Sequence, residues 1–467
     1  MYILINLFYL DDLNNNLTKR ANLNTQNQQK LIVNAQSAFQ CSSTPLTLHV
    51  RYMVWNSVGL ITQSNIKGSE SINIEFHNAT FHHTIDLKNQ FGYTMADMSK
   101  EAIVMASPGK MTNEIEINST LSRSMLACIL INSCYNNTEW KIAMPPNESI
   151  KCICVSKTLI GCMTSRRFLR IYGLAGTQKE IICFNYLPIC MRAHENAIFI
   201  CYSTDIKSTF INYSLFNIDA DKKINEKQEA EHGILSLSED AKLEWIGFSD
   251  EGNTFYSDSN GYLYTKCVTI SKCGVWMPYS DLKFMLKHKL DNYWIIGISE
   301  SNQTIKSILC HAANYPETLP RPTVSIISIN MPLCEPYTEK SKLERDYWKN
   351  KITFLNLSNY DCSTQNLNLN LDQNELNEIV NKYEDSSKEV LMKLFMFSCK
   401  NNSEQRAYEV ASIMDSASLK LAIKYGTKTR ALVLTQNLIF LAEKRAIIEY
   451  NQESKQKEGN TKINISY

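Results

Sequence analysis

The chain has 467 residues, a formal net charge of +1 and 15 cysteines. This length favours two domains, and such an even charge balance argues against a broad nucleic-acid-binding surface. The cysteine spacings do not form a disulfide framework, so they predict reduced, mostly buried thiols in an intracellular compartment. No apolar run reaches the roughly 18 residues that a membrane helix requires.

Residues 1–40 form a leader that is rich in Asn and Gln, with scattered apolar residues. This composition predicts a disordered segment, or one foreign to the folded unit. Its first part, Met1–Leu10, is apolar but ends at Asp11 and Asp12. Because it lacks a basic start and a small-residue cleavage site, it does not match a signal peptide.

Residues 41–333 contain short runs rich in Val, Ile, Tyr, Phe and Trp that alternate with turn residues. These runs predict consecutive β-strands. The strands fill roughly 285 residues, which exceeds a sandwich and suits a β-propeller of about six or seven blades. The hairpin signal is strongest where Asn260-Gly261 separates two aromatic runs, since both residues tolerate positive φ.

Residues 334–371 form a connector that contains one predicted helix, Lys340–Lys349. Residues 372–450 follow as a predicted helical bundle, and residues 451–467 as a polar, disordered tail. In the bundle region apolar residues recur three and four apart, which places them on one face of each helix. These residues are Leu376, Ile379, Val380, Val390, Leu391, Leu394, Phe395, Val410, Ile413, Met414, Leu419, Ala422 and Ile423.

Two local signals divide the bundle region into helices. Asp415-Ser416 interrupts the apolar pattern and predicts a turn or a helix cap, and Gly426 predicts a helix stop. The fold class predicted from the whole chain is therefore mainly β with α, a β-propeller followed by a C-terminal helical bundle.

Four residues of the bundle region are offset from the apolar stripe. Met392 and Met396 lie four residues apart, and so do Leu421 and Tyr425. If the two pairs face each other, they line an apolar groove that can hold a partner helix. The alternative is that all four residues fill the core.

No motif in the chain indicates an enzyme, a metal site or a cofactor. His82 and His83 are adjacent, so in a strand they point to opposite faces and do not easily share one ion. Asp258-Ser-Asn-Gly261 imitates a calcium loop, but Thr269 stands where that loop needs a glutamate. Gly173–Gly176 lacks the Lys and Ser or Thr of a phosphate loop. Nothing in the sequence pairs a nucleophile with a base.

Several long motifs resemble one known family, the WD-repeat and HMG-box DNA-binding proteins, known in yeast as the chromosome-transmission-fidelity replisome hub. The similarity runs from about Ser42 to Tyr450. The motifs are RYMVWNSVG at 51–59, EFHN at 75–78, FGYTMAD at 91–97, EWIGFSDEG at 244–252, YWIIG at 293–297, PETLPRP at 316–322, LMKL at 391–394 and LAIKY at 421–425.

The resemblance implies a six-bladed propeller followed by a helical bundle, assembled into a homotrimer. It implies a non-enzymatic nuclear adaptor, without cofactor, that joins the replicative helicase (CMG, through GINS) to DNA polymerase alpha–primase. It also places a client-peptide groove at Met392, Met396, Leu421 and Tyr425. Met and Tyr are bulkier than the residues of the yeast pattern, so weaker or altered peptide capture is expected.

Two departures from the family concern DNA. No WD-repeat signature precedes Leu46, and no HMG box follows the helical region. Contact with DNA is therefore expected to be indirect or weak. The alternative function is a chromatin protein that acts in sister chromatid cohesion or repair by direct DNA contact, which the near-neutral charge disfavours.

Overall fold

A computed structural model describes twelve stretches of the chain. These are residues 36–66, 68–78, 80, 82–109, 123–131, 138–184, 186–204, 210–218, 230–267, 274–335, 337–360 and 373–463. The chain divides into two compact units. The first contains Met1–Lys266, Asp281–Ser299 and Thr304–Ser328, and the second contains Cys267–Ser280, Glu300–Gln303 and Ile329–Tyr467.

Six antiparallel sheets follow one another along the described chain and form a six-bladed β-propeller, which confirms the predicted fold class. Blade one contains β1 Val50–Trp55, β2 Gly59–Ile66, β3 Ser69–Phe76 and β4 Ile85–Lys88. Blade two contains β5 Met95–Met98, β6 Ala102–Ala106, β7 Met125–Leu130 and β8 Glu139–Ala143. Blade three contains β9 Ile150–Val155, β10 Leu159–Thr164, β11 Phe168–Gly173 and β12 Gln178–Cys183.

The remaining blades continue this order. Blade four contains β13 Leu187–His194, β14 Ala197–Ser203, β15 Asn212–Asn217 and β16 Glu231–Ile234. Blade five contains β17 Leu243–Phe248, β18 Thr254–Asp258, β19 Tyr262–Cys267 and β20 Val275–Asp281. Blade six contains β21 Asn292–Ser299, β22 Thr304–Cys310 and β23 Val324–Ser328, and a 3₁₀ turn at Lys283–Met285 precedes it.

In each blade the first strand is more buried than the last. Strand β1 is almost wholly buried, whereas β12 is almost wholly exposed. Apolar side chains fill the space between neighbouring blades, and blades six and one close the ring through Trp55, Ile296 and Ile308. Fully buried strands carry the near-continuous apolar runs from which the strands were predicted.

The hairpin predicted at Asn260-Gly261 is confirmed. Strands β18 and β19 pair in antiparallel register on either side of this turn, and Gly261 has a φ of +82°. The buried Asp258 carboxylate accepts hydrogen bonds from the backbone N–H groups of Asn260 and Tyr262. Asp258 is therefore engaged in holding the turn.

Residues 36–44, here called the axial segment, run past the first strands of several blades. The Gln36 amide donates to the Leu243 carbonyl, Phe39 N donates to the Ile189 carbonyl, and the Gln40 amide donates to the Ile153 carbonyl. The predicted leader ended at residue 40, whereas residues 36–40 make these contacts, which composition alone does not reveal. Residues 1–35 of that leader lie outside the described residues.

The second unit carries five described helices. They are α1 Glu339–Tyr360, α2 Gln373–Lys400, α3 Glu404–Ser412, α4 Ser416–Lys428 and α5 Leu432–Ile463. Helix α1 is longer than the predicted Lys340–Lys349, because Ile352 and Leu357 continue its buried face. Helix α5 extends beyond Asn451, where the tail was predicted to begin.

Within this unit, polar bonds tie α1 and α2 to residues 300–303. The Gln303 amide donates to Asn350 Oδ1 and Thr353 Oγ1 of α1, at 3.1 and 3.2 Å. The Tyr383 hydroxyl of α2 donates to the Ser301 carbonyl at 2.7 Å. These bonds hold the first two helices on a short loop of the same unit.

Candidate functional site

The helical core explains why the predicted stripe forms. Helix α2 contacts α1, α3 and α4, while α5 contacts α3 and α4. The core at these contacts contains Tyr347, Leu391, Leu394, Phe395, Ala407, Ala411, Met414, Leu419, Ala422, Leu434 and Leu438. Ile413 is the exception in the predicted stripe, since its side chain is exposed at the end of α3.

Asp415 begins helix α4 as an N-cap, which confirms the predicted cap. Its side chain accepts a hydrogen bond from Ser418 N at 3.3 Å. Partial burial acts to raise the pKa of Asp415, but the hydrogen bonds from Ser418 outweigh it and lower the pKa below its ordinary value. The cap therefore favours the ionised carboxylate.

Gly426 does not end helix α4, so that prediction was wrong. The helix continues to Lys428, and its C-cap residue is Thr429. A Cβ added at Gly426 would lie 2.8 Å from Thr435 Oγ1 of α5. The glycine is therefore present because the two helices approach closely, which periodicity along one helix does not show.

The four predicted groove residues lie at the surface of the helical core. Met392, Met396 and Tyr425 are half-buried against it, and Leu421 is 54% exposed. The Tyr425 ring meets the Phe395 ring edge-on, with 6.1 Å between centroids. This contact brings α2 and α4 together, while a groove between the two pairs remains a prediction.

Lysines line the outer side of α4 near these residues. Lys424 and Lys428 are exposed and lie three residues beyond Leu421 and Tyr425, so they share that face of the helix. On α2, Lys393 pairs with Glu389 at 2.7 Å. Polar groups with a surplus of positive charge thus border the apolar residues of α4.

Sequence reasoning missed an exposed apolar face on α5. Val433, Phe440 and Ile447 are 62%, 67% and 61% exposed. Their spacing of seven residues is the signal that could have revealed this face, because such residues align along one side of a helix. The buried side of the same helix carries Leu434 and Leu438.

His82 and His83, together with the nearby His77, do not form a metal site. His77 Nε2 contacts the Asn56 carbonyl, and His82 Nδ1 contacts the His83 carbonyl. Among the described residues no group of three or more His, Cys, Asp or Glu side chains could hold a metal ion. In that same part of the chain, no helix is long and apolar enough to cross a membrane.

The twelve cysteines in the described part of the chain are free, and nine of them are buried, as predicted. Burial raises the pKa of the Cys152 thiol to about 12. Such thiols stay protonated at neutral pH and are poor nucleophiles.

Two family models match this chain, and together they account for both units. The first, "Minichromosome loss protein, Mcl1, middle region", matches residues 37–333. The second, "DNA polymerase alpha-binding protein Ctf4, C-terminal domain", matches residues 341–447. This chain belongs to the family of WD repeat and HMG-box DNA-binding proteins. The resemblance stated from the motifs is thereby confirmed.

Relatives within this family share the same region. WD repeat and HMG-box DNA-binding protein 1 of Xenopus laevis is 33% identical over 417 residues, 88% of this chain and 35% of the relative. Minichromosome loss protein 1 of Schizosaccharomyces pombe is 26% identical over 302 residues, 62% of this chain and 35% of the relative. The chain thus spans about a third of the length of these relatives.

A solved structure, HIRA residues 644–1017, has a TM-score of 0.36 and 12% identity, and the match covers 74% of this chain and 94% of that one. A likeness this weak adds nothing about function.

Proposed function

We propose that this chain is a non-enzymatic DNA replication adaptor that captures short helices of client proteins on its helical bundle. In this proposal it is a nuclear homotrimer that links the replicative helicase, through GINS, to DNA polymerase alpha–primase. Met392, Met396, Leu421 and Tyr425 form the client groove.

One observation carries the proposal. The region matched by the polymerase alpha-binding family model, residues 341–447, contains all four groove residues. None of the four is fully buried, and Leu421 is more than half exposed. A partner helix therefore has apolar side chains within reach at the surface of a domain whose family is named for polymerase binding.

The side chains suggest which client helix fits. Methionine is flexible and adapts to varied apolar partners, and an amphipathic helix presents anchors three or four residues apart. Lys424 and Lys428 beside Leu421 favour a helix that carries acidic residues next to its apolar anchors. We expect the charged residues to raise the association rate and the apolar anchors to supply most of the affinity.

Self-association suits this role, because a homotrimer presents three identical grooves on one particle. Three clients, or one tethered client, then bind at a raised effective concentration. The groove of a single subunit can therefore be weak while the assembly holds its partners.

The groove is tested by placing charge into it. Met392→Glu combined with Leu421→Glu should weaken binding of helical polymerase alpha and GINS peptides at least tenfold, because each carboxylate is buried when a client docks. Fluorescence anisotropy with labelled peptides measures the affinity. Ile413→Glu is the control for added charge, since it places one glutamate at an exposed apolar residue of the bundle that is not among the four groove residues.

Unchanged peptide affinity in the double variant, with its helix content intact by circular dichroism, would remove the groove from the proposal. Equal losses of peptide affinity in the double variant and in Ile413→Glu would also contradict the groove. Added negative charge anywhere on the bundle would then explain the loss.

A further inference from the structure

Helix α5 has apolar residues on two opposite sides. On its inner side Leu434 and Leu438 are buried in the helical core. On its outer side lie Val433, Phe440 and Ile447, which are seven residues apart and therefore fall within about 20° of one line along the helix. A helix that is apolar on both sides is normally covered on both.

Two further residues widen this outer stripe. Leu432 and Ile448 are 72% and 47% exposed, beside Val433 at 62%, Phe440 at 67% and Ile447 at 61%. All five side chains lie within residues 432–448 of a single helix. A concentration of exposed apolar surface of this kind marks an interaction site.

The stripe is symmetric about Phe440. Val433 and Ile447 lie seven residues before and after it, and Leu432 and Ile448 lie eight residues before and after it. In an antiparallel pair of α5 helices centred on Phe440, Val433 meets Ile447 of the second copy. Leu432 likewise meets Ile448, and Phe440 meets its own counterpart. This self-complementary arrangement is the form of a two-fold interface.

Charged residues on the same side of α5 favour the antiparallel direction. Glu443 and Lys444 are exposed three and four residues after Phe440. In the antiparallel pair Glu443 meets Asn437 of the second copy, and Lys444 meets Gln436. Amide side chains both donate and accept hydrogen bonds, so they suit either charge. A parallel pair would instead place Glu443 against Glu443 and Lys444 against Lys444, and like charges in contact oppose binding.

We propose that α5 pairs with α5 of a second copy of this chain, antiparallel and two-fold symmetric about Phe440. A second copy is favoured over a client helix, because the symmetry gives each apolar residue of the stripe an apolar counterpart. The contact covers roughly 25 Å of helix, which is a small interface. The pairing is therefore weak and forms above micromolar concentration. It joins two particles whether each contains one chain or three, so it does not depend on the proposed homotrimer.

Cysteine cross-linking of the full chain tests the position of the two-fold axis. Phe440→Cys should form a disulfide between two copies after mild oxidation at high micromolar concentration, because a residue on the axis meets its own counterpart. Val433→Cys alone should form no such link, since the two copies of residue 433 lie about 21 Å apart along the helices, beyond the roughly 7 Å between Cα atoms that a disulfide spans. Mixing Val433→Cys with Ile447→Cys should produce a link between residues 433 and 447.

Mass spectrometry of the linked peptides identifies the joined residues, so the native cysteines do not obscure the result. Ile413→Cys is the matched control, because it places one cysteine at an exposed apolar residue outside α5. The yield of the link between two copies of residue 440 should exceed self-linking of the control at least tenfold.

Light scattering tests the pairing without added cysteines. The mass of the unchanged protein should rise as its concentration increases above micromolar. Phe440→Glu should abolish this rise, because the two-fold axis brings the two carboxylates together. Client-peptide affinity should stay within twofold in Phe440→Glu, so a failure of the pairing is distinguishable from a failure of the groove.

Two outcomes would overturn the proposal. If Phe440→Cys links no better than Ile413→Cys and the mass of the unchanged protein stays constant on concentration, a second copy does not cover this face. If Val433→Cys links to itself as well as Phe440→Cys does, the helices do not pair antiparallel about Phe440.

Discussion

Asp97 and Arg192 form an ion pair at the centre of the propeller, and both side chains are almost fully buried. The Asp97 carboxylate also accepts a hydrogen bond from Val155 N at 3.0 Å. The Arg192 guanidinium donates to Ser42 Oγ of the axial segment at 2.9 Å. The pair thus links blades two, three and four to the axial segment.

Removing one partner of this pair should destabilise the fold strongly. Arg192→Met leaves the Asp97 carboxylate buried without its partner, and we expect a loss of about 3–5 kcal/mol in the free energy of unfolding. Urea denaturation followed by tryptophan fluorescence measures it. Adding Asp97→Asn should recover at least half of the loss, because the charge is then gone and the side-chain oxygen still accepts from Val155. A double variant no more stable than Arg192→Met would contradict this account.

At the scale of elements, the contact between α4 and α5 depends on a residue without a side chain. Thr435 of α5 lies against Gly426 of α4. The Thr435 hydroxyl donates to the carbonyl of Ala431, the residue just before α5, at 2.8 Å. The two helices position Leu421 and Tyr425, since both residues belong to α4. Close approach at Gly426 thereby helps to orient the proposed groove.

Gly426→Ala should therefore destabilise the bundle, although alanine normally stabilises a helix interior by about 1 kcal/mol relative to glycine. The added methyl group meets Thr435 Oγ1, and overpacking of this kind costs roughly 1–3 kcal/mol. Thermal unfolding followed by helix content shows whether Gly426→Ala lowers or raises the stability of the bundle. Adding Thr435→Ala should turn the loss of stability into a gain, because the obstructing hydroxyl is removed. If Gly426→Ala alone stabilises the chain, the close approach of Gly426 to Thr435 is contradicted.

At the scale of the whole molecule, the propeller and the helical unit each have an apolar core of their own. Inter-blade apolar contacts and the axial segment hold the ring, while the apolar residues left exposed include those on α4 and α5. The whole chain has a formal net charge of +1, which favours the proposed protein partners over DNA. The family's printed names mention DNA binding, but this chain spans about a third of those proteins.

The proposed homotrimer should appear as a particle of three times the chain mass. Size-exclusion chromatography with light scattering at micromolar concentration measures this directly. We propose that the propeller carries the subunit contacts and the helices bind clients, so the groove variant, Met392→Glu with Leu421→Glu, should keep the same mass. A monomer at that concentration would contradict the trimer and leave the peptide-binding test unaffected.

The local sequence pattern was sufficient to predict most of the strands and helices of this protein. The apolar runs and turns predicted the strands, the period of three and four predicted the helices, and Asp415 was identified as a cap, because each of these depends on residues near in sequence. The motifs were long enough to identify the family. Leu421 is exposed, whereas Met392, Met396 and Tyr425 are half-buried. The groove that these four residues were predicted to line stays a prediction.

Only the tertiary structure decided the features that join distant residues. It showed that Gly426 packs against α5 and that residues 36–40 bond to the first strands of three blades. Each feature depends on which surfaces meet after folding. Periodicity within one segment carries no information about the partner that segment will meet, so the sequence by itself left these contacts undetermined.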